Sequence, residues 1–297
     1  MSRSGPGAVG VDVGGTRIKA VRLLADRVAD RAERPTPATD EEVVVAIAEL
    51  ALSLGEGDPL GVGLAGLVDV ETGTLVWGPH LPGEDVAVAG PLRQRLGVDV
   101  TVDNDANLAA LAESRIGAAA GADPVVMLTL GTGIGMGIVI GGQIYRGMGF
   151  AGEVGHVTVD PGGDRCPCGR QGCWETRVSG RRLDAEARRL LGDTASAGDL
   201  VEAARAGVTG AVDVLAEAGR WLAVGVEALV LTLDPAVVVV GGAAAAAGDL
   251  LLGSARARLA GTEGAPHRRS LALTAGILGA DAGAIGAAIR AGEEQKP

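Results

Sequence analysis

Cys166-Pro-Cys168-Gly-Arg-Gln-Gly-Cys173 sets three thiols in a C-x-C-x4-C run, and His156 lies ten residues ahead of it in Glu153-Val-Gly-His156. Three thiolates and one imidazole form a closed tetrahedral ligand set for Zn2+. A closed set leaves no position for water, so a zinc held there is structural; free cysteines in a loop are the plain alternative. Glu175 follows Cys173 by two residues. A zinc in this loop would therefore fix the backbone that carries Glu153, His156 and Glu175, a trio suited to hydrogen-bonding several hydroxyls at once. Without the cluster, both glutamates read as ordinary solvated charges. An odd, clustered set of cysteines is no disulfide framework, and no secretory signal is recognisable at the start, so the expected location is the reducing cytoplasm.

Two glycine turns suggest phosphate. Asp12-Val-Gly14-Gly15-Thr16 and Leu130-Gly131-Thr132-Gly133-Ile134-Gly135 each follow an apolar strand. A phosphate needs backbone N–H groups aimed at it from a tight turn, which glycine permits. A Thr hydroxyl adds a donor, and a carboxylate such as Asp12 can hold Mg2+. The dinucleotide pattern G-x-G-x-x-G fails at Met136, and a strand-like Gly137-Ile-Val-Ile140 follows where a helix would be needed. Plain hairpin turns are the alternative, weakened by the repetition. Gly241-Gly242 closes a further apolar strand and suits a nucleotide's ribose or base.

Asn104-Asp105 stands at the carboxyl end of a strand and opens a helix, where open α/β sheets place ligands. A carboxylate there can take the proton of a hydroxyl that attacks a phosphoryl group. It can equally be a simple helix cap, and local sequence divides the two readings evenly.

The elements that must carry these groups alternate. The pattern predicts strands at Ala8–Val13, Ile18–Leu24, Leu60–Leu64 and Val98–Val102, with helices from an Asp40 cap to about Leu54 and over about Ala106–Gly117. The second half repeats strand, glycine turn and strand at Val125–Leu130 and Met136–Ile140. Helices follow at Arg181–Leu191, Leu200–Ala206 and about Val212–Thr232, then a strand at Ala236–Val240 and a last helix at about Ala282–Ala291. The class is α/β with two similar lobes.

Composition narrows the functions. The 297 residues suggest about two domains. Aromatics are only 2% while glycines number 49, so the cores must be aliphatic and many backbone positions small. A net charge of −11 without a basic cluster argues against nucleic acid. The only lysines are Lys19 and Lys296, and no Gly-Lys pair occurs, which excludes a Walker A loop. Val125–Tyr145 carries no charge and is long enough to span a bilayer, but six glycines interrupt it, so two strands are expected rather than a membrane helix.

Taken together, Asp12-Val-Gly-Gly-Thr16, Asn104-Asp105-Ala-Asn107, Leu130-Gly-Thr-Gly-Ile-Gly135, Glu153-Val-Gly-His156 and the Cys166–Glu175 run resemble the ROK family (repressors, open reading frames, kinases), its actinobacterial-type glucokinases in particular. The resemblance covers about residues 8–290. It implies a two-lobed actin-like ATPase fold with a cleft between the lobes. Residues 1–117 with a returning helix at about 280–297 would form the small lobe, and 118–279 a large lobe with the zinc-bound loop. It implies ATP-dependent phosphorylation of a hexose, glucose first, at the 6-hydroxyl, with Asp105 as general base. Gly66, Asn104, Glu153, His156 and Glu175 would hold the sugar, with His156 also on the zinc. Gly14, Gly15, Thr16, Thr132 and Gly133 would cradle the phosphates of Mg-ATP, Gly241 and Gly242 would lie near the adenosine, and the chain would form a homodimer or homotetramer.

Three positions depart from the family's common pattern: Ala65 for Pro, His80 for Asn in Trp77-Gly-Pro-His80-Leu-Pro, and Ala243 for Gly. His80 alters the side chain that would meet one edge of the sugar, so N-acetylhexosamine, allose or fructose are the alternative substrates. A repressor would need a helix-turn-helix ahead of the first strand, which begins near residue 8. A sugar-binding regulator without activity is the remaining alternative.

Overall fold

The computed structural model describes residues 7–261 and 271–294, and the chain groups into two compact units. The first comprises Met1–Ala120, Gln143–Phe150 and Ala280–Pro297; the second comprises Gly121–Gly142 and Ala151–Gly279. Lys296 lies outside the described residues.

In the first unit an antiparallel run of β1 (Gly7–Val13), β2 (Arg17–Leu24) and β3 (Arg27–Pro35) is extended in parallel by β4 (Leu60–Leu64) and then β8 (Val100–Asn104), in the order β3-β2-β1-β4-β8. Short β5 (Leu67–Asp69), β6 (Thr74–Trp77) and β7 (Val86–Ala87) make a separate sheet. The helices are α1 (Asp40–Leu54), α2 (Ala89–Leu96), α3 (Asp105–Ile116) and, last in the chain, α9 (Ala282–Glu293); β11 (Gln143–Ile144) belongs to the Gln143–Phe150 piece. All five residues of β4 are buried, as expected of a parallel strand covered on both faces.

Helix α1 is capped one residue earlier than the expected Asp40. Thr39 is the N-cap, extended at φ −118°, and its side chain accepts from the Glu42 amide. Asp40, Glu41 and Glu42 then lie in the first turn, where carboxylates favour the helix dipole. Strand β3 carries no sequence signal, because Arg27, Asp30, Arg31, Glu33 and Arg34 interrupt any apolar alternation. Its register on β2 and ion pairs such as Arg17–Glu33 and Arg34–Glu49 place it, and a charged edge resists pairing with another sheet.

Helix α9 lies on the sheet backbone to backbone. A methyl added at Gly10 of β1 would overlap the Ala284 carbonyl, one at Gly61 of β4 the Ala287 carbonyl, and one at Gly286 the Leu108 carbonyl of α3. Every residue of Ala282–Ala288 is buried there, and all but Ile285 are glycine or alanine.

The second unit repeats the hairpin with β9 (Val125–Leu130) and β10 (Ile134–Ile140), which pair antiparallel. The uncharged, glycine-laced run is thus β9 and β10, followed by the two-residue β11, and not a helix. Parallel β12 (Val237–Gly241) and β13 (Ala272–Ala275) follow on the other side of β9. Helices α4 (Glu175–Val178), α5 (Gly180–Leu191), α6 (Ala197–Arg205), α7 (Thr209–Leu233) and α8 (Asp249–Ala260) complete it. Its core joins Leu128, Leu130, Leu215, Leu222 and Val240 around Trp174. Trp174 is the largest fully buried side chain and donates its Nε1–H to the Trp221 carbonyl at 2.9 Å. Burial of each such aliphatic side chain contributes about 1.5–3 kcal/mol. No helix among the described residues is long and apolar enough to cross a membrane.

Candidate active site

In the first unit the chemistry gathers at the carboxyl ends of β1 and β8. Asn104 caps α3: its Oδ1 accepts from the Ala106 and Asn107 amides at 2.9 and 3.1 Å, and its Nδ2 donates to the Gly66 carbonyl at 3.0 Å. The cap reading is therefore correct for Asn104, and the same bonds bring Gly66 and Asn104 together. Asp105 is the first helical residue, half-buried, and its Oδ1 accepts from the Ala106 amide at 2.9 Å.

Asp12, at the end of β1, lies close enough to Asp105 for their charges to interact. Burial pushes the Asp12 carboxyl up to about 7, Asp105 and Asp281 add to the rise, and Lys19 opposes it. Lys19 is the cross-strand partner of Asp12 and donates to the Ala280 carbonyl at 3.1 Å. Gly283 of α9 closes over Asp12; a methyl there would sit 2.9 Å from its Cγ.

In the turn after Asp12 the Gly14 amide donates to the Arg17 carbonyl at 3.0 Å, and the Gly14 carbonyl accepts from Thr36 Oγ1 at 2.6 Å. Gly14 shapes the turn, while Gly15 and Thr16 are exposed at its tip. The second turn is one residue shorter: the Gly131 amide donates to the Gly133 carbonyl at 3.1 Å, leaving Thr132 exposed. The Gly180 amide, opening α5, anchors that turn by donating to the Gly131 carbonyl at 2.7 Å. Gly242, at φ +83°, rests on the backbone of Leu130, so the Gly241-Gly242 turn adjoins the second glycine turn.

The zinc-ligand set forms as the spacing predicts. One ligand atom from each of His156, Cys166, Cys168 and Cys173 lies within 4.8 Å of the others. Cys166 Sγ is 3.6 Å from His156 Nδ1, and Cys168 Sγ is 3.6 Å from Cys173 Sγ. Tetrahedral Zn–S bonds of ~2.3 Å require sulfurs about 3.8 Å apart, so the residues fit this metal. Burial raises the Cys166 thiol, and its hydrogen bond to Glu175 raises it further. That bond, Cys166 Sγ to Glu175 Oε1, is 3.0 Å. Glu175 also faces the second glycine turn: a methyl on Gly133 would lie 2.5 Å from its Oε2. Glu153, exposed, stands just ahead of the short turn Val154–His156 and accepts the His156 amide through its carbonyl at 3.2 Å.

Sequence reasoning misses two groups here. Asp103, 3% exposed, accepts the Asn104 amide at 2.8 Å and Asn107 Nδ2 at 3.2 Å on one oxygen. Its other oxygen takes Arg146 Nε at 3.0 Å and Arg146 Nη2. The one signal is Arg146 itself, the only charge between Asp123 and Glu153. This pair ties the Gln143–Phe150 segment into the first unit, whereas the sequence division places it in the second.

The ROK family model matches residues 8–294. A glucokinase of Streptomyces coelicolor is 36% identical over 94% of this chain and 96% of its own length. Among solved structures, a ROK family glucokinase from Streptomyces griseus in complex with glucose and AMPPNP is 37% identical, covers 97% of this chain and 99% of its own, and superposes with a TM-score of 0.87. A ROK hexokinase from Thermus thermophilus, 36% identical, covers 97% and 98% with a TM-score of 0.81. The α/β architecture is that of the actin-like ATPase fold. With the family model matching nearly the whole length and relatives above a third identical across it, the chain is a member of the ROK family.

Proposed function

We propose that the protein is an ATP-dependent hexose kinase that phosphorylates glucose at the 6-hydroxyl. The observation that carries the reading is the likeness to the Streptomyces griseus enzyme bound to glucose and AMPPNP, at 37% identity over nearly the whole of both chains.

In this reading Asp105 accepts the proton of the 6-hydroxyl as that oxygen attacks the γ-phosphoryl group. It opens α3 at the carboxyl end of β8, the end of a sheet where ligands bind. Asn104 and Gly66 hold sugar hydroxyls beside it. Glu153, His156 and Glu175 hold the remaining hydroxyls; His156 turns Nδ1 to the metal cluster, which leaves Nε2 for the sugar. With few aromatics, recognition rests on hydrogen bonds rather than ring stacking. Gly15, Thr16, Thr132 and Gly133 donate to the phosphates, Gly14 shapes the first turn, and Gly241 and Gly242 flank the adenosine. Asp12 would hold Mg2+, which neutralises phosphate charge, and the zinc is structural. The protein acts in the cytoplasm as a homodimer or homotetramer.

His80, in place of the family's common Asn, favours testing N-acetylhexosamines, allose and fructose beside glucose. The decisive experiment is a sugar panel with ATP and Mg2+ on the wild type and on Asp105→Asn. Glucose turnover that falls by about 10²–10⁴ in the variant, with glucose binding retained, is the expected result. A variant that turns over at the wild-type rate, or a wild type that phosphorylates no hexose, overturns the reading.

A further inference from the structure

His80 is not merely a changed letter in a sugar-side motif. It follows β6 in the Trp77–Pro82 stretch, and its side chain is seated on the first glycine turn. A methyl built on Gly15 would lie 2.6 Å from His80 Cβ, 3.2 Å from its carbonyl oxygen and 3.4 Å from Cγ. Gly15 has no Cβ, so the imidazole stem rests directly on its main chain. Both His80 and the turn tip are exposed, and both belong to the first unit.

The electrostatics of the turn show what such a neighbour can do. The Gly14 amide is consumed within the hairpin, so the turn offers only the donors at its tip. Arg17 is engaged by Glu33, and Lys19 donates to the Ala280 carbonyl beside Asp12. The remaining groups around Asp12 are the carboxylates Asp105 and Asp281, and Asp281 is paired with Arg31 at 2.8 Å. A polyanion placed on the tip therefore meets few side-chain donors, and an imidazole on Gly15 supplies one.

We infer that His80 is a phosphate-side residue of this enzyme, its ring N–H donating to the polyphosphate of ATP next to Gly15 and Thr16. The inference rests on the proposed use of this turn for ATP. It assigns the side chain at position 80, His here, to the phosphoryl donor rather than to the sugar. A ring nitrogen that donates to a phosphate oxygen forms a charge-assisted bond, stronger than a neutral one.

Three variants test it: His80→Phe, which keeps a ring on Gly15 without a donor; His80→Asn, which restores an N–H; and Thr16→Val as a control on the turn. Binding of AMP, ADP and AMPPNP and of glucose is measured by calorimetry, together with KM for ATP and for glucose. The expected result for His80→Phe is a loss of about tenfold in AMPPNP affinity. The loss should shrink for ADP and vanish for AMP, with glucose affinity unchanged within about twofold and His80→Asn close to wild type. A purely structural role would not scale with phosphate number. Unchanged nucleotide binding in His80→Phe, while Thr16→Val weakens it, overturns the inference and leaves the turn's role standing. A loss confined to glucose also overturns it and returns position 80 to the sugar. If Thr16→Val too leaves nucleotide binding unchanged, the assignment of the turn itself falls, and the inference with it.

Discussion

The Cys166 thiol donates to Glu175 Oε1 at 3.0 Å, while the other oxygen of the same carboxylate faces Gly133. A zinc-bound Cys166 is a thiolate with no proton to donate, so metal binding frees this carboxylate, expected to read sugar hydroxyls, and metal loss ties it to the sulfur beside the second glycine turn.

Removing the metal should therefore cost sugar recognition before it costs nucleotide binding. With a strong zinc chelator, or in Cys168→Ser, KM for glucose is expected to rise about tenfold or more while KM for ATP changes little. The thermal midpoint should fall as well, because a structural zinc contributes directly to folding. Metal analysis, two-substrate kinetics and a melt of the same preparations check this; an unchanged KM for glucose in metal-free protein would sink it.

The Asp103–Arg146 pair should matter to Asp105, the proposed base, through the backbone that carries it. Arg146→Ala leaves a carboxylate that is 3% exposed without its cation, at a cost of about 3 kcal/mol. Asp103 also holds the Asn104 amide and the Asn107 side chain, so kcat should drop about tenfold with KM for ATP preserved. The double change Asp103→Asn with Arg146→Ala should recover part of the stability, since no charge is then stranded. Denaturant melts and kinetics on the three proteins decide it.

Asp12 gives a pH signature in the free protein. Its carboxyl is raised from the usual 3.8 to about 7 in the folded state. The folded chain therefore holds this proton more tightly than the unfolded chain. Its contribution to stability is complete below about pH 3.8 and is lost as pH climbs through about 7. Asp12→Asn should thus raise the melting temperature more at pH 8 than at pH 5, by about 3 °C or more. Added Mg2+ should favour the ionised form in the wild type and do nothing for the variant. Equal shifts at both pH values would contradict the assignment.

Glycine has two different meanings in this chain, and substitution separates them. Gly10→Ala forces a methyl into the Ala284 carbonyl and should destabilise by about 3 kcal/mol or more. Gly253→Ala, inside α8 with its nearest neighbour atom 4.0 Å away, should stabilise by roughly 0.5–1 kcal/mol. Melts of the two single variants check both signs.

Local chemistry makes much of this legible. The glycine turns, the Asn104 cap with Asp105 behind it and the histidine–cysteine set are short-range patterns whose spacing carries their geometry. What stays hidden is non-local. Nothing near Arg146 reveals that it reaches Asp103, 43 residues earlier. Strand β3 has no apolar face to announce it and exists because β2 offers an edge. Nor does the Trp77–Pro82 stretch disclose that His80 rests on Gly15, since that contact depends on how β6 and its neighbours fold back on the β1–β2 hairpin. The expected Asp40 cap is one residue out because Thr39 and Asp40 both suit the position, and only backbone extension at Thr39 separates them.

Helix α9 meets the strands main chain to main chain, Ala284 over Gly10 of β1 and Ala287 over Gly61 of β4, while Gly286 meets the Leu108 carbonyl of α3 and Gly283 lies against the Asp12 carboxylate. A contact of backbone on backbone has no compliance: no rotamer can turn aside to absorb a small error in position. The distance from the strands to the Asp12 carboxylate is thereby set like the gap under a rigid shim. Residues that meet no ligand, Gly10, Gly61 and Gly286 among them, thus become part of the tolerance to which the acidic centre is built.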